Sequence, residues 1–182
     1  MFKGTARRSA REIAEVMDQV GGQLNAFTSK EYTCYHARVL DNHLGLAVDV
    51  LSDMLLGSLL RDEDLEREKG VILEEIGMYE DTPDELVHDM FAQALWGEHP
   101  LGRPVIGSPA TVQAIDQALL RQYLATAYSP VGSVLAVAGS FDPRRLIGEL
   151  ETAFGQWTGP RVLRFEPKPA AMLTTLSRNK ET

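Results

Sequence analysis

Apolar residues follow first a helical and then an alternating rhythm along the chain. Ser9-Ala10-Arg11-Glu12 has the S-x-x-E form of a capping box. Ile13, Met17 and Val20 follow at helical spacing until Gly21-Gly22, which predicts a helix over residues 10–20. Leu24, Ala26 and Thr28 then alternate with polar neighbours, and residues 31–40 are rich in aromatic and β-branched types. Two strands joined by a turn near Ser29-Lys30 are expected. The apolar stretch from Leu44 to Leu60 is too long for a strand and puts Leu44, Val48, Leu51 and Leu55 on one side, as a largely buried helix requires. Leu65, Ile72, Ile76 and Tyr79 mark another helix from Asp62 to Tyr79, whose acidic first turn suits the helix dipole. Thr82-Pro83-Asp84-Glu85 has the form of a second capping box and opens a helix over residues 83–95.

Residues 97–107, with their glycines and prolines, read as a structured loop. Ser108-Pro109 starts a helix that breaks near Asp116 and resumes to Tyr123 or beyond. Residues 133–138 form a short apolar run between Gly132 and Gly139, the pattern of a buried strand. Asp142-Pro143 opens a last helix carrying Leu146, Leu150 and Phe154. Strands and helices in runs, without strict βαβ alternation, predict an α+β fold: an antiparallel-rich mixed sheet covered by helices on one face. Residues 1–160 form the expected domain, and the proline-rich, polar residues 161–182 read as a linker or exit segment.

Composition narrows the function classes. The chain has 182 residues, 44% hydrophobic and 24% charged, which fits one folded domain. With 18 Lys+Arg against 26 Asp+Glu the net charge is −8, so a nucleic-acid partner is not expected. No run of about 18 apolar residues occurs, so no membrane span is expected either. The single cysteine, Cys34, excludes an intramolecular disulfide and a multi-cysteine zinc site. Residues 1–8 lack the apolar region of a secretory signal, leaving the cytoplasm as default compartment and the mitochondrial matrix as alternative.

Little conventional catalytic machinery can be written from the chain. The four histidines, His36, His43, His88 and His99, stand singly, and His36 and His88 read as structural. Gly139-Ser140-Phe141-Asp142 lacks the spacing of a phosphate loop, and Ser133 lacks the second glycine of a nucleophile elbow. Glu68 and Glu75 stand out. Seven residues apart, they lie two helical turns, about 10.5 Å, from each other on nearly one face, with Leu65, Ile72 and Ile76 beside them. That pattern fits a solvated acidic rim. It equally fits carboxylates facing a core, which need a partner such as a cation.

The order of Met1-Phe2-Lys3-Gly4-Thr5, Gly21-Gly22-Gln23-Leu24-Asn25-Ala26-Phe27-Thr28, Glu31-Tyr32-Thr33 and an E-x-x-V-I-x-x-E-I pattern from Glu68 to Ile76 resembles the M16 zinc metallopeptidases. That family includes insulin-degrading enzyme, pitrilysin and the mitochondrial processing peptidase. His99-Pro100-Leu101-Gly102-Arg103, Gly107-Ser108, Tyr128-Ser129-Pro130 and residues 134–139 follow in the family's order, so the resemblance covers nearly the whole chain.

The resemblance implies an M16-like domain whose zinc is held by two histidines of an H-x-x-E-H motif and by a glutamate about 76 residues further on. Glu75 matches that glutamate, and Glu68 matches a neighbouring acidic residue that supports the site. Asn25, Ala26 and Phe27 match the strand edge onto which a peptide substrate adds. In the complete enzyme zinc would polarise a water and the scissile carbonyl, and the motif's glutamate would take the water's proton. Phe-Lys-Gly-Thr follows H-x-x-E-H in the family, which places both histidines and the general base upstream of Met1.

The chain is therefore expected to lack its leading strands, to hold no zinc tightly and to be inactive alone. An open sheet edge would invite self-association. Expected partners are a peptide or unfolded protein substrate and a second homologous domain, in the same chain or in a partner subunit. The alternative is a non-catalytic partner subunit or protein-interaction module resembling the processing peptidase's.

Overall fold

In a computed structural model of the chain, the described residues are 1–161, so the expected exit segment lies outside them apart from Arg161. The elements in order are α1 (Ala10–Asp18), β1 (Gln23–Thr28), β2 (Thr33–Arg38), α2 (Leu44–Gly57), α3 (Asp62–Glu80), α4 (Pro83–Trp96), α5 (Pro109–Ala114), α6 (Gln117–Ala127) and α7 (Pro143–Phe154). Single 3-10 turns occupy Asp41–His43 and Pro100–Gly102. Among the described residues the fold is α+β, with seven α-helices and one antiparallel β1–β2 pair. These residues fall into two compact units. The first comprises Met1–Phe27, Thr33–Leu65 and 116–161, and the second Thr28–Tyr32 and Glu66–Ile115.

The first unit is built around Ile13, Met17, Val50 and Met54, with Phe2, Val16, Leu24, Ala37, Val39 and Leu46 packed against them. α1 starts as the sequence predicts: Ser9 Oγ accepts the Glu12 amide, and Glu12 Oε2 accepts the Ser9 amide at 2.7 Å, satisfying two amides that the helix leaves unpaired. It ends at Asp18 rather than at residue 20, and the chain closes onto it through Gly22. A Cβ there would stand 2.9 Å from the Met17 side chain and 3.1 Å from Val39, so only glycine fits without a shift.

α2 packs against β2 and α7. It stops at Gly57, short of the expected Leu60, because the next residues are bonded elsewhere. Ser58 bridges to Thr5, the Leu59 amide donates to the Gly4 carbonyl, and the carbonyls of Leu59 and Leu60 accept from Arg121 and Gln117.

Residues 133–138 correct the expectation of a buried strand. They form no strand pairing among the described residues, and Val134 is 90% and Leu135 52% exposed. A strand exists only with a neighbour to accept and donate its ladder bonds.

In the second unit the turn between the strands is tied by Lys30, whose ammonium reaches Asp89 Oδ1 at 2.8 Å and the Arg103 carbonyl at 2.6 Å. The other oxygen of Asp89 accepts from Tyr79 at 3.0 Å. α4 begins without the expected second capping box. α3 ends immediately before it, and the Thr82 hydroxyl donates back to the Met78 carbonyl at 3.0 Å instead of accepting an amide of α4.

Candidate functional site

α3 carries both glutamates of interest. Glu75 is exposed and Glu68 half-buried, whereas Ile76, one residue on and about 100° around the helix, is 4% exposed. Val71 and Met78, 57% and 65% exposed, follow Glu68 at offsets of three and ten. Glu68, Val71, Glu75 and Met78 thus share one outward stripe. This corrects the core-facing option for Glu75: the covered side of α3 is the side of Ile76.

The donor chemistry does not make a zinc site of these residues alone. Among the described residues no group of three His, Cys, Asp or Glu side chains could hold a metal ion, and structural zinc sites use four protein ligands and catalytic ones three. Glu75 offers one carboxylate. His36 and His88, read from sequence as structural, are both exposed.

The predicted substrate edge belongs to β1. Asn25 and Phe27 are exposed and Ala26 is half-buried, in the alternation a strand imposes. The Phe27 ring lies 6.2 Å from that of His36 on β2. Asn25 Oδ1 accepts the Ala26 amide at 2.8 Å, so a side chain already engages one backbone donor of this strand. Asn25, Ala26 and Phe27 lie in the first unit, Glu68 and Glu75 in the second.

A charged cluster in the first unit escaped the sequence reading. Thr5, buried, donates to Asp53 Oδ2 at 2.9 Å, and Arg8 Nη1 reaches the same oxygen at 2.7 Å. Arg8 Nη2 pairs with Asp49, which also accepts from Arg7 at 2.8 Å. Burial alone would ease the proton off Arg8, but its hydrogen bonds to Asp53 and Asp49 outweigh it and raise its pKa. Burial likewise disfavours the Asp49 carboxylate, yet Arg7 and Arg8 hold its pKa below the ordinary value. The available signal was two aspartates four residues apart inside an otherwise apolar helix. A half-buried polar contact joins the Tyr35 and Tyr128 hydroxyls at 2.9 Å, where partial burial and then this bond push the Tyr35 phenol well above its usual range.

Solved structures place the fold. A protease from Helicobacter pylori superposes with a TM-score of 0.85 at 18% identity, over 93% of this chain and 42% of that one. A peptidase M16 inactive domain from Pseudomonas fluorescens gives 0.83 at 18%, over 92% and 41%. This is the architecture of M16 peptidase domains. Sequence then fixes the family: the model described as Insulinase (Peptidase family M16) matches residues 1–109, and the chain belongs to that family. It is also 46% identical over 181 residues to the Bacillus subtilis protein named uncharacterized zinc protease YmxG. That match covers 100% of this chain and 44% of the relative, so the chain spans less than half of the relative's length.

Proposed function

We propose that these residues supply the glutamate part of a zinc metallopeptidase site, completed in a longer protein by an H-x-x-E-H segment outside this chain. Glu75 is the metal ligand, Glu68 supports it, and Asn25, Ala26 and Phe27 bind an extended peptide or an unfolded protein segment. Family membership and the name of the Bacillus relative support zinc-dependent proteolysis as the activity of the longer protein. The observation that carries the assignment to α3 is the exposed Glu75 on one stripe with Glu68: a carboxylate left outside the fold's own ion pairs is available to a metal. The domain at 1–160 works beside a second homologous domain, and the 182 residues alone neither hold zinc tightly nor cleave peptides.

The test is to express the chain with and without the reading frame that precedes Met1, and to measure zinc content and hydrolysis of a quenched fluorescent peptide. The extended protein is expected to bind zinc and cleave, and its Glu75→Gln variant to lose at least about 100-fold in activity. An upstream frame with the histidines substituted would make the protein a non-catalytic partner subunit. Stoichiometric zinc and cleavage by the 182 residues alone would overturn the proposal.

A further inference from the structure

Asp89, on α4, holds a different part of the second unit with each of its carboxylate oxygens. Oδ1 accepts from the Lys30 ammonium at 2.8 Å, and Oδ2 accepts from the Tyr79 hydroxyl at 3.0 Å. Lys30 stands in the turn after β1, three residues beyond Phe27, and Tyr79 stands about one helical turn after Glu75 on α3. Lys30, Glu75, Tyr79 and Asp89 all lie in the second unit.

Both ends of this link are anchored. The turn closes on itself: the Ser29 amide donates to the Tyr32 carbonyl at 2.8 Å, and Ser29 Oγ accepts the Tyr32 amide at 3.2 Å. Lys30 donates a second bond, at 2.6 Å, to the Arg103 carbonyl. Arg103 follows Gly102, a buried residue at which an added Cβ would stand 2.5 Å from the Gly97 carbonyl, so the loop offering the acceptor is tightly closed. On the other side, the single proton of the Tyr79 hydroxyl is shared between Asp89 Oδ2 and the Glu85 carbonyl at 3.1 Å. Burial and then the bond to Asp89 hold this phenol above its usual range, so it remains a donor. A lone exposed ion pair fixes little. Here the carboxylate has two donors, the ammonium has two acceptors, and the Lys30 and Asp89 side chains are only 30% and 18% exposed.

We infer, on the roles proposed above for Asn25, Ala26, Phe27 and Glu75, that Asp89 is a positioning residue of the peptide site: through Lys30 and Tyr79 it sets the turn of the peptide-binding strand against the helix that carries Glu75. A turn fixes the register of the strand it closes, and a slip of one residue would send Asn25 and Phe27 to the opposite face. A strand already held in place loses less conformational freedom when a peptide pairs with it. Asp89 therefore acts on peptide affinity, and so on KM, more than on kcat.

Steady-state cleavage of the quenched fluorescent peptide by the protein carrying its upstream reading frame tests this. Asp89→Ala and Lys30→Met should each raise KM about tenfold and leave kcat within about threefold. The double variant should lie within about twofold of either single one, because both substitutions break the same link. Tyr79→Phe, which keeps the ring and removes only the hydroxyl, should raise KM about threefold. Zinc content should match the parent's in each variant. Arg145→Ala, which breaks an exposed pair with Glu149 on α7, should leave KM unchanged. Amide exchange supplies a readout that needs no activity: residues 24–32 should exchange at least about tenfold faster in Asp89→Ala, with α1 unchanged. A KM indifferent to Asp89→Ala and Tyr79→Phe, additive effects of Lys30→Met and Asp89→Ala, or unaltered exchange at residues 24–32 would each overturn the inference alone. A parent that cleaves no peptide would overturn the proposed function and this inference with it.

Discussion

α2 and α3 both carry acidic side chains, and the fold sets Asp49 and Asp53 of one and Glu75 of the other in different surroundings. In α2, six of fourteen residues are buried, and Asp49 and Asp53 are tied to Arg7, Arg8 and Thr5. In α3, nineteen residues long, Ile76 is the buried one, while Glu75 stands exposed between Val71 and Met78. Carboxylates that hold a fold together are matched to cations within it. On α3 the exposed Glu75 is the carboxylate that the proposal offers to a metal. The difference is between carboxylates tied within the fold and one presented to solvent.

The comparison breaks most readily through the scaffold. Met54→Ala, at a position 1% exposed, should cost about 2–5 kcal/mol in urea unfolding, because the cavity adds to the lost transfer energy. A loss below about 1 kcal/mol would mean that α2 is not the centre of the core. Asp53→Ala removes the acceptor of buried Thr5 and of Arg8 Nη1, while Arg8 keeps its pair with Asp49, and should cost about 1–3 kcal/mol, read in the same way.

The acid limb sharpens the picture further. The folded Asp49 pKa is below its value in the unfolded chain, so its stabilisation is complete above about pH 4 and is lost as pH falls through the lower folded value. Glu12, whose carboxylate is held by the backbone and then the side chain of Ser9, acts in the same direction. Asp49→Asn should therefore lower the midpoint at pH 7 and narrow the gap to the parent below pH 3. An unchanged gap would refute the pairing. Smallest of all, Glu75→Gln should leave stability within about 0.5 kcal/mol, as exposed positions outside packed or paired features do.

Much of this architecture was legible in the sequence because its signals are local. The Ser9–Glu12 box, the Asp116 break and the Asp142-Pro143 start each depend on residues within one turn, and all appear where the pattern puts them. Features that depend on distant neighbours were not legible. Residues 133–138 have a strand's composition but no ladder partner among the described residues, and composition cannot supply one. Thr82 matched a capping pattern whose hydroxyl the preceding helix had already engaged. The seven-residue spacing of Glu68 and Glu75 placed them on one face, but not which face the fold would cover. The Asp49–Asp53 pair became meaningful only when Thr5, Arg7 and Arg8, more than forty residues away, were brought to it.

The most direct test of the division between these helices is the zinc content of the protein carrying its upstream reading frame, measured beside its Glu75→Gln variant after dialysis against a weak chelator. The parent should retain about one zinc per chain and the variant well under about 0.1, with unfolding midpoints of the metal-free forms unchanged. Equal zinc in the two proteins would contradict the role assigned to Glu75.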